Sequence, residues 1–227
     1  MRLEQLDRPV WSALTTHWAL IAEGDTRAWR IDRDYGLFGA AANRSPESQA
    51  ALAALVPEQG ELWVVEREDW PAPPGTRFVR QAECVQMVCQ RLTPGKAPAF
   101  EIVELGEGDA PAMYDLATLT QPGPYAAHTN RLGVFIGVKQ DGMLIAMAGE
   151  RMKMPGLSEV SGVCTHPDHR GKGYAGALMR IVVERMIARD ETPWLHAYAS
   201  NAGAIALYES LGFRLHGTVI ASVLVRA

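Results

Sequence analysis

Val163-Cys164-Thr165-His166-Pro167-Asp168-His169-Arg170-Gly171-Lys172-Gly173-Tyr174-Ala175-Gly176, running straight into Ala177-Leu178-Met179-Arg180-Ile181-Val182-Val183-Glu184-Arg185-Met186, reads as a strand, a glycine-rich turn and a helix. Glycines at a helix mouth let the backbone come close to a ligand, and the N–H groups of the first turn have no partner inside the helix. The helix dipole adds partial positive charge there, and Arg170 and Lys172 add whole charges. The turn therefore predicts an anion site, with a phosphate or pyrophosphate as guest.

Gly171-Lys172-Gly173-Tyr174-Ala175-Gly176 literally satisfies G-x-G-x-x-G. A dinucleotide-binding reading needs an acidic residue at the end of the next strand and several further strand-helix units. Here the next strand ends at Ala199-Ser200-Asn201, and one helix and one strand remain. A P-loop fails because no Gly-Lys-Ser or Gly-Lys-Thr is present. Glycines that serve packing alone would leave Arg170 and Lys172 as unpaired charge at the positive end of a helix.

Downstream of the turn, the helix is expected over roughly residues 174–188, ending before Pro193. A strand follows at 194–199, then a helix at 201–210 with Gly212 as its C-cap, and a closing strand at 219–225. Upstream, Gly133–Val138 and Met143–Ala148 flank Asp141-Gly142 as a hairpin, and Pro155-Gly156 reverses the chain into the strand feeding the turn. Phe100–Leu105 reads as a strand, with Asp109 capping a helix to about Thr118.

Leu92-Thr93-Pro94-Gly95-Lys96-Ala97-Pro98 is turn-forming, and a boundary is placed there, dividing the chain into residues 1–98 and 99–227. In the first unit, Arg8–Trp18 is expected as a helix, and Ala19–Ala22 and Arg27–Ile31 as a hairpin turning at Gly24-Asp25. Ser45-Pro46 starts a further helix, and Leu62–Val65 and Cys84–Gln90 read as strands.

The 227 residues suffice for one large or two small domains, and 48% hydrophobic content builds an ordinary core. A net charge of -4 makes the cations at the turn a local feature and argues against nucleic acid as a partner. Cys84, Cys89 and Cys164 lack metal-site spacing, so no metal is expected and the thiols are read as reduced. The acidic start, Met1–Asp7, does not resemble a signal peptide, and no apolar run is long enough to span a bilayer. No membrane partner and a cytoplasmic location are the expectations.

Arg170-Gly171-Lys172-Gly173-Tyr174-Ala175 resembles the Q/R-x-x-G-x-G/A signature of the GNAT superfamily of N-acetyltransferases. Asn201, Ala204, Leu207, Tyr208 and Leu211-Gly212-Phe213 stand where that superfamily carries N-x-x-A-x-x-L-Y-x-x-x-G-F. The resemblance covers residues 99–227 and implies an α+β fold with a mixed, mostly antiparallel sheet flanked by helices. The chain as a whole is similar to the glycine N-acyltransferase branch, which places a degenerate copy of the fold in front. Residues 1–98 carry no glycine signature; Arg33-Asp34-Tyr35-Gly36-Leu37-Phe38 has Phe where Gly or Ala is needed.

The resemblance implies acetyl-CoA as cosubstrate and a primary amine as acceptor, joined by direct attack in a ternary complex of a monomer or homodimer. Gly171 to Gly176, with Arg170, Lys172, Tyr174 and Ala175, would hold the pyrophosphate. Val163, Cys164 and Thr165 would pair with the pantetheine arm like another strand, and Asn201 would hydrogen-bond it. Tyr208 would protonate the leaving thiolate, though its helical stripe with Ala204, Leu207 and Leu211 also suits a core position. Glu159 and His196 compete as general base. Cys164 is read as packing and not as a nucleophile. A non-catalytic acyl-CoA sensor is the alternative from another class.

Overall fold

The computed structural model describes residues 3–227; Met1 and Arg2, on which part of the N-terminal reading falls, lie outside the described residues. A 3₁₀ turn, Leu3–Asp7, leads into α1 (Pro9–Leu14). Strands β1 (Ala22–Asp25), β2 (Ala28–Ile31) and β3 (Gly39–Ala41) form a small antiparallel sheet, followed by α2 (Pro46–Leu55). Next come β4 (Leu62–Glu66), β5 (Thr76–Val88), β6 (Val103–Leu105), α3 (Ala110–Thr120), β7 (Phe135–Gln140), β8 (Met143–Met154) and β9 (Leu157–Thr165). The chain closes with α4 (Tyr174–Ala188), β10 (Thr192–Tyr198), α5 (Ala202–Leu211) and β11 (Arg214–Arg226).

The main sheet has eight strands in the order β4-β11-β5-β10-β9-β8-β7-β6, antiparallel at every junction but β9-β10. This is the expected mixed, mostly antiparallel α+β sheet flanked by helices. Its hydrogen bonding is continuous across the division at residues 98 and 99, because β5 lies between β10 and β11 and β4 pairs with β11.

Strand alternation sets the two faces. Ile136 and Leu195 pack with Leu178, Met179, Val182, Val183 and Met186 of α4. Their neighbours Phe135 and Trp194 face the other way, Phe135 onto Met113 and Leu116 of α3 and Trp194 into the cluster holding Val10 and Leu14 of α1. Each such fully buried side chain contributes about 1.5–3 kcal/mol of transfer free energy.

Several boundaries moved for identifiable reasons. α1 ends at Leu14, four residues short of expectation, where the Thr15 and Thr16 hydroxyls donate to the carbonyls of Trp11 and Ser12. Ala19–Ile21 is a 3₁₀ turn rather than strand, and the hairpin turns at Thr26-Arg27, not Gly24-Asp25. The Asp25 carboxylate accepts the Arg27 N–H at 2.8 Å and closes that turn. Strands β5 and β11 begin at Thr76 and Arg214, eight and five residues earlier than their apolar cores suggested, because exposed segments pair there. β6 is only Val103–Leu105; Phe100 instead meets Tyr174 edge-on at 4.6 Å. Asp109 precedes α3 but does not cap it: its carboxylate accepts the Gly106 N–H and pairs with Lys139. The Ser45 cap of α2, the Asp141-Gly142 hairpin, the span of α4 and the left-handed Gly212 cap match the sequence reading.

Candidate active site

β9 and β10 pair in parallel only from Leu157–Glu159 against Thr192–Trp194. Beyond that point β10 stays with β5 while β9 stays with β8, so the two strands separate. Between them lies a cleft of about 790 Å³, walled by Val163, Cys164 and Thr165, by the glycine turn, and by α5. A bulge in β9 helps to bend it away: Met147 pairs with Cys164 but Gly149 with Ser161, which leaves one extra residue on β9. Gly162 sits in that bulge at φ 61, and a Cβ there would lie 2.7 Å from the Phe135 ring.

The far end of the cleft is the mouth of α4. Gly171 and Gly173 adopt φ 78 and 81, and a Cβ at either would meet nothing within 4 Å. Backbone conformation and open space for a guest, not packing, account for these glycines. Gly173 caps α4 without a side-chain bond. Among the described residues Arg170 and Lys172 have no acidic partner; the Arg170 Nε reaches only the Thr165 carbonyl, at 3.4 Å. Asn201 caps α5 by accepting the Ala204 N–H at 3.2 Å, so its oxygen is engaged and its amide nitrogen remains for a ligand. These features fit an elongated ligand with a phosphate end: open backbone donors, two uncompensated cations and an unpaired strand edge. His166 and His169 flank the turn.

At the other end the cleft continues past Val163, His196, Tyr198 and Tyr208 into a pocket of about 110 Å³. Glu159, only 1% exposed, anchors it. Its Oε1 accepts from Arg151 Nη2 at 3.0 Å, and its Oε2 from Arg151 Nε at 3.0 Å and the Met152 N–H at 3.2 Å. That last contact arises where β8 carries an extra residue, Glu150 pairing with Val160 but Lys153 with Ser158. Burial alone would raise the Glu159 carboxyl; the Arg151 charge and the hydrogen bonds from His196 and Arg151 outweigh it and hold it at about 2.

His196 Nδ1 lies 3.1 Å from Glu159 Oε1, and its Nε2 lies 3.4 Å from Gln86 Nε2. The Gln86 amide is oriented by its 2.7 Å bond to the Leu6 carbonyl, so it presents a donor to the ring. An ionised Glu159 on one side and an N–H donor on the other place the histidine proton on Nδ1, with the Nε2 lone pair facing the Gln86 amide in a long, 3.4 Å contact. Tyr208 borders both cleft and pocket, and burial raises its phenol above the usual tyrosine range. Burial also pushes the Cys164 thiol up to about 11, which agrees with a packing role and not with a nucleophile.

Removing Arg151 would strand a buried carboxylate. Arg151→Met is expected to cost about 3–5 kcal/mol in denaturant unfolding, and Arg151→Met with Glu159→Gln is expected to recover most of it. The pH sign follows from the depressed carboxyl. Its stabilisation is full above the ordinary carboxylate value of 4.5 and fades as pH falls towards about 2. An unchanged unfolding midpoint in Arg151→Met would show that the carboxylate does not depend on the guanidinium.

The FR47-like protein family model matches residues 135–221. Over 118 residues the chain is 30% identical to the ribosomal protein bS18-alanine N-acetyltransferase of Escherichia coli K12, spanning 49% of this chain and 79% of that protein. A crystal structure of a Novosphingobium aromaticivorans protein placed among GNAT acetyltransferases superposes with a TM-score of 0.89 at 48% identity, covering 98% of both chains. The chain belongs to the GNAT family of acetyltransferases. A GCN5-related N-acetyltransferase from Kribbella flavida shares the fold at 17% identity, with a TM-score of 0.64 over 96% of this chain and 93% of that one. GNAT enzymes take their acetyl group from acetyl-CoA, for which the glycine turn and cleft supply a fitting cradle.

In this GNAT chain, all the residues that the sequence offered for catalysis or coenzyme binding border the two cavities. Glu159 and His196, read as rivals for one role, are hydrogen-bonded to each other. Sequence reasoning did not find Arg151, Gln86, or the pocket walls Phe38 and Trp63. Arg151 sits in a bulge that no alternation pattern discloses, and the other three come from the first 98 residues, where no motif points to them.

Proposed function

We propose that the chain transfers an acetyl group from acetyl-CoA to a primary amine by direct attack in a ternary complex. The observation that carries this reading is that the cleft at the glycine turn and the pocket at the His196–Glu159 pair share Val163, His196 and Tyr208 as walls. Bound acetyl-CoA supplies the acetyl group as an activated thioester. Backbone N–H groups of Gly171 to Gly176, with Arg170 and Lys172, neutralise the pyrophosphate, and the free edge of Val163 to Thr165 with the Asn201 amide orients the arm. His196 Nε2, leaving its 3.4 Å contact with Gln86, takes a proton from the acceptor ammonium, and Glu159, through Nδ1, fixes the ring and stabilises its charged form, acting as a positioning residue. The free amine attacks the thioester carbonyl, Tyr208, kept protonated by burial, supplies a proton to the sulfur as the C–S bond breaks, and the second proton shed by the nitrogen as the amide forms restores Tyr208. Residues 1–98 act as a packing and acceptor-shaping unit, supported by Phe38, Trp63, Val65 and Cys84 in the pocket wall; residues 99–227 carry Tyr208, His196, Glu159 and the coenzyme cradle.

The test is the pH profile of turnover. Wild-type activity should fall on the acid side as the base protonates, and His196→Ala should flatten that limb while lowering kcat by about 10²-fold or more. Glu159→Gln should weaken the limb without abolishing acetyl-CoA binding. An acid limb that survives in His196→Ala and vanishes in Glu159→Gln would transfer the role to the carboxylate.

A further inference from the structure

We propose that the acceptor is a small primary monoamine carrying one apolar, ring-sized group, and not a polyamine or a peptide N-terminus; this rests on the acetyl-transfer reading above. The pocket beyond His196 has aromatic and aliphatic walls: Phe38, Trp63, Val65, Tyr198 and Tyr208. Three of them are fixed from behind. Phe38 stacks on Trp18 at 6.2 Å and bridges to Trp63, the Arg80 guanidinium lies 4.6 Å over the Trp63 ring, and Val65 is buried within β4. A dry cavity of roughly 150 Å³ accommodates benzene. The space here, about 110 Å³ and open towards the cleft, suits one small ring whose amine end projects to His196.

Charge narrows the class further. Arg151 and Glu159 are the charged side chains of the lining, and each satisfies the other. Both Glu159 oxygens are engaged, by Arg151, Met152 and His196, and the remaining Arg151 nitrogen donates to the Pro124 carbonyl at 3.2 Å. One ammonium can discharge its proton to His196. A second would stay charged in an apolar pocket beside a guanidinium, with no carboxylate oxygen free to meet it. A substrate carboxylate would find no unspent cation. A peptide would need partners for its amides, yet in the loop over the pocket, Pro122-Gly123-Pro124, only Gly123 has an N–H to give, and the free β9 edge from Val163 is the one assigned above to the coenzyme arm.

The experiment compares 2-phenylethylamine, spermidine and an alanine-starting tetrapeptide, using the full chain, acetyl-CoA and thiol release, together with calorimetric titration of 2-phenylethylamine into CoA-saturated protein. For 2-phenylethylamine kcat/KM should exceed both others at least about tenfold, the worth of burying one ring. Ala221, buried on β11 in the same wall, provides the variant. Ala221→Leu should raise KM for 2-phenylethylamine about tenfold while acetyl-CoA still stabilises the protein. If that variant does not fold, Val65→Ile narrows the same wall. Higher kcat/KM for spermidine or the peptide would overturn the assignment while leaving acetyl transfer intact. Calorimetric binding of 2-phenylethylamine that weakens in Ala221→Leu, without turnover of any amine, would sustain the pocket assignment and overturn the reaction. The absence of both binding and preferential turnover would overturn the assignment outright.

Discussion

Gly173→Glu should abolish the thermal stabilisation that acetyl-CoA gives this protein. With excess ligand the wild type should gain about 2.7 kcal/mol at a hundred times Kd, by mass action on the native state alone. Gly173 is held at φ 81 at the mouth of α4, where a side chain is strained and a carboxylate would occupy the place of the pyrophosphate. Because a Cβ there meets nothing of the protein, much of the loss must come from the ligand side. Gly173→Ala separates the two effects, carrying the backbone strain without the charge, and should retain a reduced shift. NAD should stabilise neither protein. An acetyl-CoA shift of wild-type size in Gly173→Glu would remove the turn from the binding site.

Tyr208→Phe should lower kcat by about 10²- to 10⁴-fold, the usual worth of a positioned acid, while acetyl-CoA still stabilises the protein. The hydroxyl makes no protein hydrogen bond among the described residues, so its loss strands no partner, and the ring keeps its place beside Phe213. Folding stability should hardly change. Burial raises the phenol, so the protonated form persists above the ordinary tyrosine range near ~10, and any alkaline limb due to Tyr208 should lie above that value. A kcat within a factor of about three of wild type would return Tyr208 to the apolar stripe of α5 as a packing residue.

Local chemistry was readable wherever a few neighbouring residues settle the outcome. Gly171, Gly173 and the run to Met186 place the open mouth of α4, Asn201 and Gly212 bracket α5, and Asp141-Gly142 turns the hairpin. What escaped depends on strand order. Thr76 to Glu83 alternate among charged, polar and apolar residues without a clear inward face, yet they pair along β11. Gln86 is fully buried beside His196 although the two stand 110 residues apart. The two candidate bases turned out to be one hydrogen-bonded pair because Glu159 forms the last rung of the β9-β10 parallel ladder and His196 stands two residues beyond its partner Trp194, a register that periodicity cannot supply.

The insertion of β5 between β10 and β11 has a consequence for biosynthesis. β4 and β5 are made well before their strand partners in the main sheet, residues 192–198 and 214–226. Until those partners are made these two strands present open edges, one of them thirteen residues long, in a chain that cannot yet close its sheet. Loops of roughly a hundred residues or more must close before those pairings form, which places this topology among slow folders and delays closure of the sheet. The charges at Arg77, Arg80 and Glu83 are of the kind that discourages a waiting strand edge from pairing with another chain.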